Sequence, residues 1–245
     1  MIMSNEIIFG GVERVPDVRM LYDMAEVVYD KKWLEGRENE ELYYMYRDLS
    51  QNPGDLDKIK SHNLRYDITI IPPAMLGVEY VKTAGHYHPQ VPGSNLSYAE
   101  VYQVHEGSAT YLLQKVNDGK VEDVVVVEAS AMDVVVVPPG YGHITINASD
   151  STLEMANWVC RDFSSVYEPV KNKKGGAYYL LEDGFIKNSA YSQVPEIRHV
   201  KPMDVPEFGL FRREDMYGLV EDISRLEFLT VPEKYTDIFN QIINE

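Results

Sequence analysis

The chain has 245 residues, with 39 acidic side chains against 23 basic ones and a formal net charge of −16. That acidity excludes non-specific nucleic-acid binding and docking on anionic lipid, which both need many Lys or Arg. A single cysteine excludes an internal disulfide framework and points to a reducing compartment, while 44% apolar residues can bury a sizeable core.

Taken in chain order, Leu21, Met24, Val27 and Val28 recur at helical spacing and predict a short amphipathic helix. Glu35 to Glu41 reads as a solvated, charged loop, and the aromatic run Leu42 to Tyr46 as a strand. Asn52-Pro53-Gly54-Asp55 is a strong turn signal. From Arg65 the texture changes to short β segments. Asp67–Ile71, Val78–Lys82, Glu100–Val104, Ala109–Lys115, Val121–Val127, Asp133–Val137, His143–Asn147 and Leu153–Val159 follow one another without a helix between them. About eight short strands separated by turns predict a sandwich or barrel rather than a parallel α/β sheet. The runs Val124–Val127 and Val134–Val137 are apolar on both faces, so one face fills a barrel and the other needs a cover, from the terminal segments or from a second subunit. Residues 166–245 are broken by Pro195, Pro202, Pro206 and Pro232; Lys171–Gly176 reads as a basic loop and Tyr235–Ile243 as a short helix. No apolar run is long enough to span a membrane and no secretory leader is visible, so the expectation is a soluble, cytoplasmic protein.

The chemical signal is carried by histidines. In Thr83-Ala84-Gly85-His86-Tyr87-His88-Pro89, side chains two apart on a strand share a face, so His86 and His88 point one way and Tyr87 the other. Two imidazoles on one face chelate a metal well. Glu100 follows, with Gly107 seven positions later, and then Pro138-Pro139-Gly140-Tyr141-Gly142-His143-Ile144-Thr145-Ile146-Asn147. Together these resemble the two motifs of the cupin superfamily: His-x-His with Glu-x6-Gly, and Pro-x-Gly-x2-His-x3-Asn. The resemblance implies a mainly β fold, a double-stranded β-helix or jelly-roll barrel with few helices. It also implies one divalent metal ion per subunit, held by His86, His88, Glu100 and His143. Three nitrogens and one oxygen suit Fe(II), which is favoured, or Mn, Zn or Ni. The chain departs from the general pattern in the 11 residues between His88 and Glu100 and in Met132, where a Gly is usual. His62, His105 and His199 match nothing and read as bystanders, and Cys160 as a small buried side chain.

Longer stretches narrow the resemblance. Tyr43–Arg47, Arg65–Thr69, Lys82–Pro89, Ala99–Val104, Tyr111–Gln114, Pro138–His143 and Ala156–Val159 are similar to the cupin-type glucose-6-phosphate isomerase family, best known from archaea. The likeness covers roughly residues 40–165. It implies a single cupin domain over residues 1–245, with a barrel core at about 65–165, an N-terminal extension 1–64 and a C-terminal extension 166–245 packing on the barrel. The implied reaction is the interconversion of glucose 6-phosphate and fructose 6-phosphate in glycolysis or gluconeogenesis. Glu100 and Tyr102 would be catalytic, and Thr69, Thr83 and Gly85 would bind the substrate phosphate. Alternation places Lys82 on the face opposite Thr83, hence outward. Gly140 stands where some relatives carry tyrosine, and Tyr141 comes one position later. The resemblance further implies a homodimer whose partner molecule is a small sugar phosphate, with neither nucleic acid nor membrane. Three rival readings remain open at this point: an isomerase or epimerase of another sugar phosphate, a metal-binding cupin oxygenase, and a non-enzymatic sugar-binding cupin.

Overall fold

The β-branched and aromatic runs between residues 64 and 160 pair into two facing sheets. The structure, a computed structural model, describes residues 6–244. Its strands are β1 (Ile7–Phe9), β2 (Val12–Arg14), β3 (Asp17–Met20), β4 (Glu41–Tyr46), β5 (Leu64–Ile71), β6 (Met75–Leu76), β7 (Glu79–Tyr80), β8 (Glu100–Glu106), β9 (Ser108–Asn117), β10 (Lys120–Ser130), β11 (Val134–Val137), β12 (Tyr141–Ile146), β13 (Leu153–Cys160), β14 (Tyr178–Leu181), β15 (Gly184–Lys187) and β16 (Arg198–Val200). The α-helices are short: α1 (Lys31–Leu34), α2 (Pro53–Ser61), α3 (Glu168–Asn172) and α4 (Thr236–Asn244).

One sheet has the order β11-β8-β13-β5-β4-β3, the other β12-β9-β10-β16. This non-sequential order, with strands 8, 11 and 13 in one sheet and 9, 10 and 12 in the other, is the jelly-roll wrapping of a cupin barrel. Bridges from Lys82 to Ile146 and from His86 to His143 lay the segment before the first histidine against β12. The barrel interior is filled by Val104, Leu113, Val125, Val127, Val135 and Leu153, among others.

The outer valine faces are covered by the chain itself. Val134 and Val136 pack with Val205, Phe208, Leu226 and Phe239, while Val124 and Val126 pack with Ala177, Tyr178 and Tyr191. The C-terminal part therefore supplies the cover, and these faces do not call for a second subunit. It also adds β16 beside β10, parallel to it.

Several local expectations change. Asn52 caps a helix rather than closing a turn: its side chain accepts from Asp55 N at 2.9 Å, with Pro53 in the first turn of α2, where a missing N–H costs nothing. The stretch from Leu21 is helical only as a 3-10 turn over Leu21–Met24, although Leu21, Met24, Val27 and Val28 are all buried. Lys171 lies in α3, and the loop is confined to the residues after it. Lys82 does avoid the pocket but is buried rather than solvated. It pairs with Glu79, donates to Val27 O at 2.9 Å and sits 4.8 Å from the Tyr179 ring centre.

Candidate active site and metal centre

Pairing register sets the site. On β8 the side chains of Glu100 and Tyr102 share a face, opposite Val159 and Asn157 of β13, which in turn face Arg65 and Asp67 of β5. The other sheet brings His143 on β12 against His86 through a pair of backbone hydrogen bonds, 3.2 and 3.0 Å long. Gly85 makes this approach possible. Its φ is +76°, and a Cβ there would lie 2.5 Å from Ile144 Cγ1.

The four expected metal ligands converge. One ligand atom from each of His86, His88, Glu100 and His143 lies within 4.8 Å of the others. His88 Nε2 is 3.3 Å from His86 Nε2, and Glu100 Oε2 is 3.2 Å from His88 Nε2 and 3.1 Å from His143 Nε2. His88 Nδ1 lies 3.0 Å from the Tyr98 carbonyl, so it carries the proton and turns a bare Nε2 toward the cluster. Glu100 Oε1 is held by Asn157 Nδ2 at 2.8 Å, whereas the buried Oε2 has no hydrogen-bond donor. An orphaned carboxylate oxygen among crowded imidazole nitrogens fits a divalent cation better than it fits a hydrogen-bonded core.

The charges agree with this. Burial alone would raise the Glu100 carboxyl, but the His143 and His88 imidazoles beside it hold it well below the usual carboxylate range. Burial, reinforced by the neighbouring imidazoles, pushes His86 well below the ordinary histidine value, and burial also lowers His143. Anionic carboxylate and neutral imidazole are the forms that ligate a metal.

The cluster opens into a cavity of about 280 Å³ whose wall includes Thr69, Thr83, Gly85 and Tyr102, all anticipated from sequence. Thr83 Oγ1 accepts from Thr145 N at 3.0 Å, leaving its O–H to donate. Tyr102 is buried with its hydroxyl 3.2 Å from His143 Nε2. Burial and the nearby Glu100 push its ionisation well above the ordinary value, so it stays a neutral donor. Phe163 stacks on Tyr98 and tilts against His88, closing one side. Tyr141 is elsewhere: its hydroxyl donates to Asp123 at 2.7 Å, and Tyr141 does not replace a pocket tyrosine at Gly140. His62 lies beside Lys58 O, His105 beside Glu154, and His199 lies outside the pocket.

The charged and amide residues of the wall, Arg47, Arg65, Asp67 and Asn157, carried no role in the sequence reading. The signal for three of them was the period of two along β5 and β13, counted outward from Thr69 and across to Glu100. The wall thus carries two guanidiniums and a carboxylate beside its neutral donors.

The sequence model of the family described as Glucose-6-phosphate isomerase (GPI) matches residues 18–196. The glucose-6-phosphate isomerase of Thermococcus litoralis is 31% identical over 171 residues, 68% of this chain and 81% of the relative. That of Pyrococcus furiosus is 28% identical over 174 residues, 69% of this chain and 83% of the relative. Among solved structures an oxalate oxidase overlays partially, with a TM-score of 0.38 and 16% identity over 52% of this chain and 56% of that one. The chain belongs to the glucose-6-phosphate isomerase (GPI) family.

Proposed function

We propose that the protein interconverts glucose 6-phosphate and fructose 6-phosphate, with one divalent metal ion held by His86, His88, Glu100 and His143. The observation that carries the metal requirement is the unpartnered Glu100 Oε2 among the three imidazoles. Fe(II) is the favoured ion, with Mn, Zn and Ni as alternatives. When bound, the ion polarises the sugar carbonyl and adjacent hydroxyl oxygens.

The chain's own groups do the rest. Thr69, Thr83 and the Gly85 N–H hold the phosphate at one end of the pocket. Tyr102, a neutral buried donor, hydrogen-bonds a sugar oxygen near the reacting carbons. Glu100 could serve as base through Oε1 only by giving up Asn157, and through Oε2, which has no hydrogen-bond partner, only if that oxygen were not engaged by the metal. This arrangement favours a direct hydride shift between C2 and C1 over proton abstraction to an enediolate. The charged and hydroxyl groups on the otherwise mixed wall, Arg47, Arg65, Asp67, Thr69 and Thr83, argue against a cupin oxygenase for an aromatic substrate. A cytoplasmic homodimer acting in glycolysis or gluconeogenesis completes the reading, with the dimer resting on the family likeness alone.

The test is Glu100→Gln, which abolishes turnover in an assay coupled to glucose 6-phosphate oxidation. Near wild-type turnover in this variant would show that Glu100 is neither ligand nor base.

A further inference from the structure

One end of the pocket carries charge that this reading leaves unused. Arg65, Asp67 and Thr69 alternate onto one face of β5 and line the cavity. Asp67 is 3% exposed, and its carboxylate is a hub. Oδ1 accepts from Asp48 N at 2.8 Å, and Oδ2 accepts from Arg65 Nε at 2.8 Å with Arg47 Nη1 3.6 Å away. Arg47 is braced on its other side by Asp17 through Nε at 3.1 Å. Among the described residues, neither terminal nitrogen of Arg65 makes a hydrogen bond, although the side chain is only 25% exposed. One buried carboxylate therefore aims two guanidiniums and neutralises one charge, in a chain of net charge −16.

Their position is set by register. Arg65 lies level with Glu100, two strands away across Val159, roughly 10 Å between backbones at about 4.8 Å per strand. Thr69 lies four residues along β5, roughly 13 Å from Arg65 at about 3.3 Å per residue. Arg65 is thus level with Glu100, Arg47 reaches the same Asp67 carboxylate, and Thr69 stands farther along β5.

We infer that Arg65 and Arg47 form a second anion-binding subsite at the reacting end, so that the pocket takes a sugar bisphosphate, anionic at both C1 and C6, in preference to the monophosphate. Such a ligand spans both subsites and blocks turnover by occupying the site. The inference rests on the isomerase reading only for which end of the sugar lies there. Arg65 presents its free fork, the geometry that suits a phosphate.

The experiment is isothermal titration of the full chain with fructose 6-phosphate and with fructose 1,6-bisphosphate, comparing the ratio of the two dissociation constants between variants. In the wild-type protein the bisphosphate binds about tenfold more tightly or better, as a charge-assisted clamp should give. Arg65→Lys keeps a cation on buried Asp67 but removes the fork, and lowers the ratio about fivefold or more. Arg47→Gln, whose ion-pair partner Asp17 is exposed, lowers it as well and serves if Arg65→Lys does not fold. A wild-type ratio at or below one overturns the inference, as does a preference intact in both variants. So does an equal loss of monophosphate and bisphosphate affinity, which would put the substrate's single phosphate on the arginines. A bisphosphate preference that depends on Arg65 upholds the subsite even where fructose 6-phosphate is bound but not turned over, so the two readings fail separately.

Discussion

Asn157 Nδ2 donates to Glu100 Oε1 at 2.8 Å, and this bond decides which carboxylate oxygen faces the three imidazoles. Asn157 stands opposite Tyr102 on β13, two residues from Val159, which stands opposite Glu100, inside the six-stranded sheet.

Asn157→Ala releases that oxygen and lets the carboxylate rotate. Loss of such a supporting hydrogen bond costs about 10- to 100-fold in metal affinity or activity. A metal titration followed by turnover at saturating metal separates the two effects; unchanged affinity and unchanged turnover would show that Asn157 does not orient Glu100.

Gly85→Ala places a Cβ against Ile144 in a backbone conformation that alanine tolerates poorly. The strain costs roughly 1–3 kcal/mol and shifts the neighbouring His86. A urea denaturation series reads the stability loss, and metal affinity falls with it. A variant as stable as the parent, with the same affinity, would contradict the close approach of the two segments.

Asp123 ties β10 to the C-terminal part: Arg198 donates to it through Nε at 2.9 Å and Nη2 at 2.6 Å, and Tyr141 donates at 2.7 Å. The Arg198 hydrogen bonds, opposed by burial and helped by Tyr141, lower its carboxyl from the ordinary 3.8. A depressed folded value means stability that is present above pH 3.8 and is lost as pH falls through the folded value. The pair is partly exposed, Arg198 more than Asp123, so solvent screening keeps the contribution to roughly 1 kcal/mol or less. Asp123→Asn should flatten the pH dependence of the denaturation midpoint below pH 3.8, and an identical profile would remove Asp123 from the account.

In a direct hydride shift the hydrogen passes from C1 of fructose 6-phosphate to C2 without exchange with solvent. Turnover of fructose 6-phosphate in deuterium oxide should therefore give glucose 6-phosphate free of carbon-bound deuterium. Incorporation at C2 would show proton abstraction and would require Glu100 to leave one of its present partners.

The barrel was legible from alternation along strands, and the candidate ligand set His86, His88, Glu100 and His143 from its resemblance to the cupin motifs, in spite of the longer gap before Glu100. Arg65 and Asp67 were equally legible from the same alternation, had it been followed along β5 beyond Thr69. What was not legible depends on the tertiary context. Asn-Pro-Gly-Asp suits a turn and a helix start equally, and burial of Ile59 in the core decides for the helix. The C-terminal cover is built largely of 3-10 segments such as Met216–Leu229, which lack the 3.6-residue period by which a helix is read. Hence the valine faces showed that a cover was needed but not that the chain itself supplied it.

The central claim is metal-dependent isomerisation at the histidine–glutamate cluster. Purified protein is assayed for glucose 6-phosphate formation from fructose 6-phosphate as prepared, after chelation, and after adding back Fe(II), Mn(II), Zn(II) or Ni(II). The account predicts loss of turnover on chelation and recovery with at least one of these ions. Full turnover in verified metal-free protein, or no glucose 6-phosphate with any of the four ions, would contradict it.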